Sequence, residues 1–162
     1  MVFTEKIESK FFLLPNLLKR IEFWRKLGDK IVFTNGCFDI LHQGHIHLLA
    51  ECTESGERLI IGLNSDASVK RLKGENRPLN DQKSRATLLA STQFCDAVII
   101  FEQDTPEELI HAVQPDVLIK GGDWKKEDII GSNFVESYGG QVKTIPYLKG
   151  FSTSNIIERS KR

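Results

Sequence analysis

KIVFTNGCFDILHQGHIHLLAECTES, from Lys30 to Ser55, is the stretch on which the fold turns. Its opening, Lys30–Asn35, is a short apolar run of the kind that forms a strand buried on both faces. Its closing part, His45–Ser55, reads as a helix. The corner between them holds Gly36, Asp39 and Gly44, with two histidines, His42 and His45, three residues apart. A strand that passes through a glycine-bearing corner into a helix is the first half of a βα unit.

The same alternation continues outward. Short runs rich in Val, Ile and Leu recur at Arg58–Asn64, Asp96–Phe101, Asp116–Lys120 and Gln141–Pro146. Helical segments separate them at 66–72, 81–92 and 105–113, and a last helix opens at Ser152. Asp81 is the expected N-cap of the third of these helices, counted from the corner, and Thr105 that of the next, with Pro106 at its first position. This pattern predicts an α/β fold: a five-stranded parallel sheet with helices on both faces. Upstream, Leu13, Leu14, Leu17, Leu18, Ile21 and Trp24 recur at helical spacing and predict a helix ending near Gly28. The expected division is therefore an N-terminal helical extension, 1–28, and one domain, 29–162. Sheets of this kind bind ligands outside the carboxyl ends of their strands. The polar segments after strands one, two and four are thus expected on one side of the molecule.

The totals narrow the class. A chain of 162 residues suits one domain, and 40% hydrophobic with 27% charged residues is ordinary for a globular protein. Lys+Arg and Asp+Glu both count 22, so no global charge argues for nucleic acid or a membrane surface. The apolar runs are too short to span a bilayer. The N-terminus has no signal-peptide cleavage pattern. Three cysteines, Cys37, Cys52 and Cys95, show no pairing pattern, and a reducing cytoplasm is the expected home.

Four chemistries compete for the histidine corner. Cys37, His42, His45 and His47 offer zinc ligands, but their spacing matches neither a C-x2-C pair nor an H-E-x-x-H helix, so no protein-held metal is expected. Asp39 and His42 resemble two parts of a hydrolase triad, yet no G-x-S-x-G elbow supplies the nucleophile. Structural packing accounts for one histidine better than for two. Phosphate binding accounts best for the corner: the glycines allow close backbone approach, the helix start offers free N–H groups and the positive end of a dipole, and imidazoles donate hydrogen bonds, although Asp39 would repel the anion.

The corner resembles the motif of the His-x-Gly-His nucleotidyltransferases, here His42-Gln43-Gly44-His45 preceded by TNGCFD. The resemblance extends through GLNSDASVKRLKGENRP (62–78), SRATLLAS (84–91), CDAVIIFEQDTPEELI (95–110), LIKGGDW (118–124) and FSTSNII (151–157). Within that family it is most similar to the ADP-heptose synthase adenylyltransferase domain, and less so to glycerol-3-phosphate cytidylyltransferases. It implies a Rossmann-like fold and transfer of AMP from ATP to D-glycero-β-D-manno-heptose 1-phosphate, with release of pyrophosphate. A cytidylyltransferase acting on an alcohol phosphate stays open beside it, as does a nucleotide-binding module without turnover.

The resemblance also implies roles. His42, His45, Lys73 and Arg85 would stabilise the charge of the reacting phosphates. Thr34, Asn35, Gly36, Phe38 and Gly44 from the corner would hold the nucleotide, with Lys120 and Gly121 after strand four and Ser152, Thr153 and Ser154 at the last helix. Asp39, Asp66, Arg77, Gly122, Asp123 and Trp124 would face the acceptor. Some accounts stay paired: Asp39 either near acceptor or magnesium or orienting its neighbours, Asp66 either at the acceptor or an N-cap, Trp124 either stacking or packing. Arg85 is either at the phosphates or in a surface ion pair. Mg²⁺ is expected on the phosphates and water rather than in a protein cage. FCDAVI (94–99) resembles the dimer contact of related cytidylyltransferases, so a homodimer is expected.

Overall fold

The computed structural model describes residues 2–160. Five strands, β1 (Ile31–Gly36), β2 (Arg58–Asn64), β3 (Ala97–Phe101), β4 (Val117–Gly121) and β5 (Gln141–Ile145), form one sheet in the order β3-β2-β1-β4-β5. All four pairings are parallel; Phe33, for example, lies between Ile60 of β2 and Leu118 of β4. This is the parallel sheet that the alternation predicts, and the Rossmann-like fold that the resemblance implies.

Side chains alternate across the strands, so each strand feeds two cores. On one face, Ile31 and Phe33 of β1 pack with Ile60, Ile99, Leu118 and Val142 beneath α2 (Leu14–Lys26), α6 (Glu107–Val113) and α7 (Ser132–Ser137). On the other, Val32, Ile61, Leu63, Val98 and Ile119 pack beneath α3 (Gln43–Thr53) and α5 (Gln82–Ser91). The α2 helix inserts Leu17, Ile21 and Trp24 into the first core. At roughly 2 kcal/mol for each apolar side chain withdrawn from water, that contact anchors the N-terminal segment to the sheet. Just before it, residues 10–12 continue the sheet edge: Val98 N–H donates to the Lys10 carbonyl at 2.8 Å, and Phe12 N–H to the Val98 carbonyl at 3.0 Å.

One local expectation is corrected, and two short stretches that the pattern leaves unassigned form helices. The first residues, without periodic pattern, form a short helix α1 (Phe3–Glu8), where the Glu5 carboxylate accepts from the Val2 N–H at 3.0 Å. Thr105 does not cap α6; Pro106 occupies the N-cap and the helix begins one residue later than the pattern suggests. Residues 126–137 contain a 3₁₀ turn (Lys126–Asp128) and α7, elements of three and six residues that are too short to carry a readable period. Asp81 caps α5 as expected, accepting from Ser84 N–H at 2.8 Å. No helix among the described residues is long and apolar enough to cross a membrane.

From β1 the chain steps to β2 and β3, then returns past β1 to β4 and β5. The loops leaving β1 and β4 therefore diverge and open a crevice at their carboxyl ends. The remaining helices α4 (Asp66–Lys73) and α8 (Thr153–Ser160) lie after β2 and β5, on the side of the sheet to which the crevice opens.

Candidate active site

The corner after β1 is built around buried rings. Phe38 is buried in the left-handed region at φ 44, and its ring lies 3.0 Å from where a Cβ on Gly36 would stand. It packs against His45, centroid to centroid 5.1 Å, and His45 in turn stacks on His42 at 3.8 Å with 22° between planes. A non-glycine residue at positive φ is strained, and strain held by surrounding packing is typical of functional corners. Phe38 thus touches the corner by packing against the His45 ring.

His42 is the N-cap of α3, and its Nδ1 accepts from the Gly44 N–H at 3.1 Å. An accepting Nδ1 leaves the proton of the neutral ring on Nε2, which is then a donor. Burial lowers the pKa of His42 from the usual 6.5. It lowers that of His45 to about 4, reinforced by the neighbouring His42. The Ile40 backbone opposes this only weakly, being outside hydrogen-bonding geometry: His45 Nδ1 is buried without a partner. Both rings are neutral near pH 7.

The last helix meets this corner. A Cβ on Gly44 would fall 3.0 Å from His42 Cε1 and 3.4 Å from the Cβ of Phe151. Ser152 caps α8, accepting from Asn155 N–H at 3.1 Å; Thr153 and Ser154 occupy its first turn. Two helix N-termini therefore stand side by side; at α3 the Gly44 N–H is taken by His42 Nδ1 and that of His45 by the His42 carbonyl.

Cations from separate segments converge beside them. Burial raises the pKa of the Cys37 thiol, and Lys73, Arg85, Lys120 and Arg77 oppose that rise through their charges. Lys73 ends α4 and is exposed; Lys120, near the end of β4, is half-buried, and its own pKa is lowered by burial and then by Lys73. Cys37 is the point on which they centre, though by spacing it signalled only a discarded zinc site.

Two predicted site residues are bound inward. Asp39 is 2% exposed, and its carboxylate accepts from Leu79 N–H at 2.8 Å, Asn80 N–H at 3.0 Å and Arg77 Nε at 2.6 Å. Burial pushes its pKa up, but these donors outweigh it and leave the group below 3.8. Arg85 is 0% exposed and donates to the carbonyls of Asn80 (3.0 Å) and Cys37 (2.6 Å) and to the Asp66 carboxylate (2.8 Å). One buried network thus ties the β1 exit to the 77–80 loop and the start of α4. Ser65 caps α4, accepting from Ser68 N–H at 3.1 Å, so capping does not occupy Asp66.

Thr34 points away from the crevice, wholly buried and unpartnered beside the Cys52 thiol. Asn35, half-buried, lies against Gly62 of β2. At the end of β4, a Cβ on Gly121 would fall 3.0 Å from the Leu48 side chain of α3. Gly122 adopts φ +121 and donates to the Ile145 carbonyl at 2.8 Å; Asp123 is exposed, and Trp124 Nε1 donates to the Gly121 carbonyl at 3.2 Å. Tyr147, also against Gly122, escaped the sequence reading; its signal was an aromatic just past the end of β5.

Two surface grooves lie elsewhere, one of about 360 Å³ along α2 at Phe12, Asn16 and Arg20, one of about 340 Å³ between Phe11, Ala86 and Ile100. Neither combines histidines, cations and helix starts as the crevice does. No group of three or more His, Cys, Asp or Glu side chains gathers as a metal site among the described residues.

Known proteins match this architecture. The sequence model described as "Cytidylyltransferase-like" matches residues 33–159. The bifunctional protein HldE of Nitrobacter hamburgensis is 50% identical over 145 residues, covering 90% of this chain and 30% of that protein. The protein of the same name from Pelobacter propionicus is 53% identical over 139 residues, 86% of this chain and 28% of that one. The chain thus spans less than a third of the length of these relatives. In three dimensions it is similar to a lipopolysaccharide core biosynthesis protein from Thermoplasma volcanium GSS1, with a TM-score of 0.62 and 30% identity over 76% of this chain and 100% of the other.

Proposed function

The chain belongs to the cytidylyltransferase-like family, and from that premise we propose that it is an adenylyltransferase that makes ADP-heptose. It takes ATP and D-glycero-β-D-manno-heptose 1-phosphate and releases pyrophosphate. An oxygen of the acceptor phosphate forms a bond to the α-phosphorus while the bond from that phosphorus to the bridging oxygen breaks, its electron pair leaving with pyrophosphate. Two anions must meet, so the protein's work is to align them and neutralise charge.

The observation that carries this reading is the stacked His42–His45 pair at the start of α3, against which the segment opening α8 packs, beside the Cys37 carbonyl held by Arg85. His42 offers its Nε2–H to a phosphate oxygen as a neutral donor. His45, dry and neutral, gains most from a charge that develops late, which favours the transition state over the ground state. The phosphates lie at the positive ends of α3 and α8, with backbone N–H groups of the first turn of α8 as donors. Lys73 and Lys120 supply charge from opposite walls. Arg85 and Asp39 hold the walls in place from behind, and Arg77, steadied by Asp39, reaches toward the acceptor phosphate with Asp66 and Asp123 beside the sugar hydroxyls.

Mg²⁺ supplies Lewis-acid neutralisation of the phosphate oxygens. The donor set suits a cation carried on the nucleotide: the Asp39 carboxylate is taken by Arg77 and two backbone N–H groups, and that of Asp66 is paired with Arg85. The free state of Cys37, Cys52 and Cys95 supports a reducing, cytoplasmic setting. Two copies pair through side chains on the β3 side of the sheet, where residues 10–12 cover the strand edge and Leu13 and Ile100 are exposed; sedimentation at micromolar concentration tests this, and a monomer refutes it.

The test of the reaction is pyrophosphate release with Mg²⁺, offering ATP or CTP with the heptose 1-phosphate or with glycerol 3-phosphate. Release with ATP and the heptose phosphate alone is the expected result. Release with CTP and glycerol 3-phosphate moves the protein to another acceptor and base with the same site. No release with any pair refutes the reading.

A further inference from the structure

Beyond the phosphate crevice, the carboxyl ends of β4 and β5 carry an open pair of aromatic rings. A Cβ on Gly122 would fall 2.9 Å from Trp124 Nε1 and 2.9 Å from both Cε2 and Cζ of Tyr147. Both rings therefore lie against the backbone of Gly122, where φ +121 and the lack of a side chain are both required. Trp124 is 47% exposed and Tyr147 66%. Large aromatic rings left in water beside a ligand crevice forgo burial that the core readily supplies, and they mark a surface that a ligand covers.

Position and chemistry identify that ligand. Lys120 links the two regions: it is among the cations acting on Cys37, and its Nζ lies 5.8 Å from the centre of the Trp124 ring. Outward from the phosphate site come Lys120, Gly121, Gly122 and then the two rings, the order in which a nucleotide presents phosphates, ribose and base. A polyhydroxylated sugar needs a fan of donors and acceptors, whereas the Trp124 indole N–H is already spent on the Gly121 carbonyl and what the pair leaves exposed is largely ring. Flat heteroaromatic rings stack on such faces irrespective of their hydrogen-bond edges.

We infer that Tyr147, together with Trp124, forms the stacking platform for the nucleobase of the bound triphosphate. This rests on the nucleotidyltransferase reading of the crevice, and it adds Tyr147 as the residue that gives the nucleotide, rather than the acceptor, its grip at the far end. Tyr147 acts through its ring, so its hydroxyl is dispensable.

The test compares the affinity of the wild type, Tyr147→Phe and Tyr147→Ala for MgATP and for magnesium tripolyphosphate, which lacks the base. Calorimetry provides the affinity, and circular dichroism verifies the fold. Tyr147→Ala is expected to weaken ATP about tenfold and leave tripolyphosphate unchanged, while Tyr147→Phe binds ATP like the wild type. Unchanged ATP affinity in Tyr147→Ala, or an equal loss for both ligands, overturns the platform while leaving the phosphate site standing. A wild type that binds neither ligand overturns the reading of the crevice and the platform with it. With only two tryptophans in the chain and Trp24 in the core, quenching of Trp124 by ATP gives a second readout, expected to vanish in Trp124→Phe.

Discussion

Arg85 and Asp66 meet at 2.8 Å, the arginine wholly enclosed and the carboxylate at the partly open start of α4. The same guanidinium also holds the carbonyls of Cys37 and Asn80, so three segments at the crevice depend on one side chain.

Arg85→Lys retains the charge but not the planar fork that serves three acceptors in different directions. Turnover is expected to fall at least about tenfold and stability by roughly 3 kcal/mol, the scale for breaking a buried pair, with MgATP affinity nearly unchanged. Steady-state kinetics, ATP titration and urea unfolding measure the three quantities. A large loss of ATP affinity at unaltered stability would instead make Arg85 a direct phosphate ligand.

His45→Ala is expected to keep the fold, because His45 contributes a ring at the mouth of the core and not its centre. Its turnover should drop about 10²-fold or more, the usual scale for a lost transition-state donor. Rates near wild type in a folded variant would remove His45 from the chemistry.

His45 also predicts a pH effect on stability. Its pKa is near 6.5 in the unfolded chain and about 4 in the folded one. Between these values the unfolded state binds more protons, so stability is full above pH 6.5 and declines as pH falls toward 4. At about 1.4 kcal/mol per unit, the loss is at most about 3 kcal/mol. Urea unfolding at pH 7 and 4.5 should show a smaller decline in His45→Gln than in the wild type; equal declines would place the titration elsewhere.

Asp39→Asn tests the other half of the network. The folded carboxylate titrates below its ordinary 3.8, so its stabilisation is present above that pH and lost as pH falls through the folded value. The variant is expected to be about 1–3 kcal/mol less stable at pH 7. The gap should narrow below pH 4, and a gap independent of pH would mean that packing, not charge, is what the substitution removes.

The fold was legible because its signals are local. Buried-strand runs, the Asp81 cap and the glycine–histidine corner each declare themselves within a few residues, and parallel strands joined by helices admit few arrangements. The site was legible in part for the same reason: His42, His45, Gly44 and Ser152 lie at helix starts, where backbone geometry is dictated by neighbours in sequence. Short α1 and α7 escaped, since fewer than two turns carry no period.

What sequence alone determined, then, is the alternation of elements and the placing of two helix N-termini at the carboxyl edge of a parallel sheet. Tertiary structure alone decided which way the charged side chains face. Arg85 and Asp39 turn inward because carbonyls and N–H groups from the 77–80 loop, about forty residues from Asp39, need buried partners. Thr34 enters the core because strand alternation assigns it to the face beneath α3, and Tyr147 reaches Gly122 because β5 lies beside β4. Such directions follow from register and from contacts distant in sequence, which no local pattern encodes.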